Sequence, residues 1–98
     1  MTKAATQIAQ TSTAGEDISI PLGSYLTLVD VLVDTSGSAT LSIDVSDTGE
    51  FSGEETTVQT VDYSSGVNQL EQFEFAYPYV QVNVDSNLNE LEIVSRGD

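Results

Sequence analysis

The stretch "YVQVNVD", Tyr79 to Asp85, sets valine at every second position, and a two-residue apolar period cannot be the stripe of a helix. The same beat returns in "ATLSIDVS". There Leu41, Ile43 and Val45 fall on one face and Thr40, Ser42, Asp44 and Ser46 on the other, as in a sheet with one wet side. In "YLTLVDVLVDT", Val29, Val31 and Val33 share one face while Leu26, Leu28 and Leu32 share the other with Asp30 and Asp34, which predicts a central strand or one covered at one end. Weaker strands are predicted in "DISIPLG", "ETTVQTVDY", "NQLEQFEFAY" and "LNELEIVS". Val58 and Val61 lie on opposite parities, and a bulge between them would put both on one side.

Between these segments stand "DTSGSA", "SDTGEFSGEE", "YSSGVN" and "VDSNLN", rich in residues that take positive φ or bond their own backbone, so they read as turns. Pro21 and Pro78 belong at strand ends or edges. Seven or eight short strands at this spacing predict an all-β, two-sheet antiparallel sandwich, with a jelly roll favoured over an immunoglobulin-like order. The polar, Thr-rich residues 1–15 read as an arm, flexible or ordered by a partner, and residues 16–98 as one sandwich domain.

Charge narrows the function. Sixteen acids face Lys3 and Arg96, a formal net charge of −14. Neutralising phosphates needs clustered Lys and Arg, so nucleic acid is not an expected partner. Apolar residues at 39% of the chain, in strand order, argue against a disordered acidic chain. An acidic surface nearly stripped of lysine is expected where molar salt screens self-repulsion, which points to a halophilic source. No segment reads as a signal peptide or a membrane span, and assembly in the host cytoplasm is expected.

With neither His nor Cys, the usual general base and thiol nucleophile are missing, and neither catalysis nor a cofactor is expected. Glu90 with Glu92, or Glu71 with Glu74, could serve as an acid–base pair, but carboxylates this abundant read as solvated faces. In "SIDVSDTGEFSGEE", Asp44, Ser46, Asp47 and Glu50 supply a fragment of calcium-loop spacing. The plainer reading is a strand ending at Ser46, a turn at "SDTG" and an acidic connection, with no metal. The terminal "SRGD" contributes a lone surface cation, Arg96.

Three motifs carry a resemblance. "IDVSDTGEF", "YPYVQVNVD" and "LNELEIVSRG" resemble the strand-and-turn, central and closing segments of discoidin-like, galactose-binding-type jelly rolls, over roughly Ala39 to Gly97. The resemblance implies a jelly roll. It departs at Thr48, which separates Asp47 from Gly49, and at Pro78 and Gln81, which stand where arginines are usual.

Small jelly rolls without cysteine or catalytic groups also resemble decoration, turret and minor capsid proteins of tailed viruses, and the surface charge then implies a haloarchaeal host. The resulting expectation is a non-enzymatic protein of the virion surface. It would be a trimer or next a pentamer, contacting the major capsid protein or other virion proteins. The alternative is an adhesion module of a viral tail or spike that binds a host-surface glycan. Tyr63, Tyr77, Pro78, Tyr79 and Arg96 are the candidate interface residues, because tyrosine suits surfaces apolar at one end and wet at the other.

Overall fold

The computed structural model describes residues 6–21, 27–75 and 77–95. Eight strands follow in order: β1 (Thr6–Thr11), β2 (Ile18–Pro21), β3 (Thr27–Thr35), β4 (Ala39–Ser46), β5 (Thr56–Tyr63), β6 (Asn68–Phe75), β7 (Tyr79–Val84) and β8 (Leu88–Ser95). The first sheet runs β1-β8-β3-β6 and the second β2-β7-β4-β5. All pairings are antiparallel. Every connection except β4 to β5 crosses from one sheet to the other, which makes the sandwich an eight-stranded jelly roll.

The core forms because the two alternating faces meet. Val29, Val31, Val33, Leu91 and Ile93 of the first sheet are buried against Ile20, Leu41, Ile43, Val45, Val80, Val82 and Val84 of the second. β3 lies between β8 and β6, the central place its two apolar faces predict. Its Asp30 has outward parity but is buried, accepting a hydrogen bond from Gln72 Nε2 at 2.8 Å.

Two expectations are corrected. The segment read as an arm contributes β1, which pairs with β8 from Thr6–Ser95 to Thr11–Leu91. Ladder hydrogen bonds come from the backbone, so a polar, small-residue segment can pair without an apolar pattern. Ala9 packs on the core, and Gly15 N–H donates to Val84 O at 2.8 Å, so the chain is tied down up to the start of β2. Residues 1–5 lie outside the described residues. Ser46, expected outward and solvated, is buried beneath the turn that follows it.

The four edge strands are each blunted. β1 shifts register between Gln7 and Ala9, and β2 has four residues and ends at Pro21. In β5, Gln59 faces Ile43 and Thr57 faces Asp44, so Val58 is the extra residue of a bulge, next to where parity required one. In β6, Glu71 faces Val31 and so has inward parity, a charge that would be buried by an added strand.

The strands define two ends. One carries the connections 12–17, 36–38, 64–67 and 85–87; the other carries 47–55 and 77–78 among the described residues.

Candidate functional site

A concave feature among the described residues lies on the flank where β5 and β6, the edge strands of opposite sheets, line it from either side. It is a cleft of about 380 Å³ lined by Val58, Gln59, Gln72, Phe73, Glu74 and Tyr77. Its shape follows from strand parity and one bulge. Phe73 faces Val29 and Gln59 faces Ile43, so both have inward parity where the sheets part. Phe73 is half-buried against the core, while the bulge leaves Val58 37% exposed. Tyr77, in the connection from β6 to β7, is 40% exposed. The Gln72 amide is engaged by Asp30, while Gln59 and Glu74 are exposed.

At the same end, the β4–β5 connection organises itself. Ser46 Oγ accepts from Thr48 N–H at 3.2 Å and from Gly49 N–H at 3.1 Å. Gly49 has φ +86°, a left-handed conformation that favours glycine, and the turn lies against the Tyr79 ring, which a Cβ there would meet at an ordinary 3.4 Å. Thr48 Oγ1 donates to Glu54 Oε1 at 2.9 Å, and Gly53 N–H donates to Glu55 Oε1 at 2.8 Å. The Gly53 bond, with help from neighbouring backbone N–H groups, holds the Glu55 carboxyl below its usual range. Among the described residues, no cluster of three or more acids is placed to hold a metal. Asp44, one of the candidate oxygen ligands, accepts instead from Thr57 Oγ1 across the strand pair at 2.6 Å.

The candidate interface residues separate. Tyr77 lines the cleft, Tyr79 covers the β4–β5 turn, and Pro78 lies between them. Tyr63 leaves the set: it is buried, and its hydroxyl donates to Glu71 Oε2 at 2.8 Å. Burial first, then the Glu71 bond and charge, raise its pKa above the ordinary tyrosine value. The reason is parity, since Tyr63 pairs with inward Ala39 at the end of β5. Arg96 lies outside the described residues. Of the carboxylate pairs, Glu71 and Glu74 have opposite parity, whereas Glu90 and Glu92 border one shallow pit with Leu32 and Asp34. Sequence reasoning missed the cleft, which joins β5 to β6 across the sandwich. The usable signal was the Val58/Val61 parity break, which marked where β5 opens.

No protein-family model matches the chain, and no curated protein matches it. Among solved structures it is similar to one described as a truncated AlyQ with CBM32 and alginate lyase domains. That similarity has a TM-score of 0.50 and 18% identity over all of this chain and 34% of that one. The chain thus spans about a third of the length of the structure it resembles, and the likeness is one of fold. The resemblance read from three sequence motifs is met at the level of a small all-β jelly roll.

Proposed function

We propose that the chain is a non-catalytic binding module that takes a glycan in the β5–β6 cleft. The observation that carries this reading is the lining: an exposed tyrosine ring and a half-buried Phe73 beside the free amide-bearing Gln59 and the carboxylate of Glu74. Sugars present an apolar C–H face and a rim of hydroxyls, which an aromatic ring and a planar amide or carboxylate complement. A volume of about 380 Å³ falls within the roughly 300–1,000 Å³ usual for ligand pockets. A net charge of −14 with Glu74 at the rim repels polyuronates, so the ligand class is neutral or amino sugars. The CBM32 domain named for the similar structure agrees with a sugar-binding role in kind. The test is a glycan array on the wild type and Tyr77→Ala. Binding to neutral or amino sugars that Tyr77→Ala abolishes is expected, and retained binding in the variant would reject the cleft.

A second reading is favoured by the strand order, since eight-stranded jelly rolls serve viral capsid domains as well as lectins. In it the protein decorates a virion surface as a trimer or pentamer, with Tyr77 and Pro78 near the subunit contacts. Light scattering in high salt and co-sedimentation with capsids test it. A monomer that ignores capsids would remove it.

A further inference from the structure

The two outer faces of the sandwich differ in kind. On the second sheet the outward side chains are polar and bond one another: Gln81 Nε2 to Ser19 Oγ at 3.3 Å, Thr40 Oγ1 to Asp62 Oδ1 at 3.0 Å, and Asn83 Nδ2 to Asp17 Oδ1 at 2.7 Å. On the first sheet, Leu32 and Leu70 face each other across β3 and β6 and are 37% and 52% exposed. Beside them is a pit of about 100 Å³ whose wall includes Asp34, Glu90, Glu92 and Asn68.

We propose that this face docks a partner protein through an apolar side chain on the Leu32–Leu70 pair and lysine or arginine in the acidic pit. The inference is independent of the glycan reading and goes beyond it. Charge complementarity selects the occupant. Asp34 accepts from Asn89 Nδ2 at 3.1 Å and Glu90 from Gln10 Nε2 at 3.4 Å, amide partners that carry no charge of their own, so with Glu92 the pit presents like charges that a cation would complement. A lysine or arginine can lay its stem on Leu32 and its head among them. A second copy would instead bring Asp34, Glu90 and Glu92 against their own equivalents, a like-charge juxtaposition that opposes association. A partner added as a ninth strand is disfavoured by the blunted edges, including the inward parity of Glu71. What remains is docking by side chains onto the face.

The experiment compares two peptides of equal length and charge, one alternating Lys with Leu and one alternating Lys with Gln, titrated into the full chain at about 0.15 M salt and followed by amide chemical shifts. The Lys/Leu peptide should bind about tenfold more tightly, with shifts centred on Leu32, Leu70 and Glu92. Leu70→Ser, and separately Leu32→Ser, should each reduce that preference, with the strand spectrum unchanged. Tyr77→Ala should leave it intact. Equal binding of both peptides would mean diffuse attraction to an acidic surface and would overturn the proposal. So would a preference that survives both serine variants, or a wild-type dimer that Leu70→Ser dissolves without any peptide.

Discussion

The two ends of the sandwich are held in different ways. At the end carrying 12–17, 36–38, 64–67 and 85–87, connections are tied to one another and to strands by main-chain bonds: Thr35 N–H to Val67 O, Ser36 N–H to Asn87 O, Asp85 N–H to Thr40 O and Gly15 N–H to Val84 O. Asn87, at φ +53°, adds a side-chain bond to Ser38 O at 2.6 Å. At the other end the 47–55 connection is held by its own hydroxyls and carboxylates, and the cleft opens beside Tyr77. Main-chain ties between separate connections constrain the fold, whereas a self-contained loop can change sequence without moving its neighbours. That places the tied connections at one end and the self-shaped loop, with the cleft beside it, at the other.

The largest break in this comparison should come from Gly66→Val. A Cβ at Gly66 would meet Thr35 O at 2.9 Å, and backbone cannot swing aside as a side chain can. The move would disturb the Thr35–Val67 tie, so a loss of about 1–3 kcal/mol is expected in denaturant unfolding. An equally placed Gly53→Val at the other end has open space, and its cost should come from φ +116° alone. Because φ strain alone is worth about 1–3 kcal/mol, the two are separated by where the amide shifts move. A Gly66→Val variant that leaves the Thr35 and Val67 amides in place would end the distinction between tied and self-contained ends.

Tyr63→Phe sharpens the same contrast by pH. The folded pKa of Tyr63 is raised, so the folded state keeps its proton where the unfolded chain has lost it. Its contribution is therefore complete below the ordinary tyrosine pKa of about 10 and is lost as pH climbs above that value. The wild type should lose stability through this alkaline window more steeply than Tyr63→Phe. Near neutrality the variant should cost about 0.5–1.5 kcal/mol, for the lost bond to Glu71. Parallel pH curves for the two proteins would mean that Tyr63 is neither buried nor bonded to Glu71 in solution.

Ser46→Ala probes the self-contained loop, and about 1 kcal/mol is expected because two backbone N–H groups lose their acceptor. The same residue shows what the sequence could reveal. Alternation in "ATLSIDVS" correctly separated Leu41, Ile43 and Val45 from Thr40, Ser42 and Asp44, because parity is a local property. Ser46 broke the pattern because its environment is made by a turn curling back over it, and by Tyr79 from another strand. β1 was hidden for a related reason: its partner β8 supplies the ladder, and Thr, Gln and Ala carry little trace of pairing. Tyr63 and Tyr77 were indistinguishable as tyrosines, although one sits at the buried end of β5 and the other in a connection beside the cleft. Strand identities were thus written locally, while the cleft depended on which edges the jelly roll brings together.

The smallest expected effect is none. Calcium at millimolar concentration should leave thermal stability unchanged at constant ionic strength, on the wild type and on Asp47→Asn alike. Within the loop, Glu54 already accepts from Thr48 and Glu55 from Gly53, so two of its carboxylates are committed to shaping the turn. Asp47 and Glu50 are exposed, and among the described residues no third acid joins them in a cluster placed to share an ion. A calcium site needs six or more oxygens about 2.3–2.6 Å away. Reaching that number would require Glu54 and Glu55 to release Thr48 and Gly53, so binding would work against the bonds that shape the loop. Carboxylates in such an arrangement attract cations as a screened atmosphere, which constant ionic strength holds fixed. A melting temperature that rises with calcium in the wild type and not in Asp47→Asn would show that the loop rearranges around an ion. The acidic end would then be conditionally ordered by that ion instead of held by its own hydroxyls.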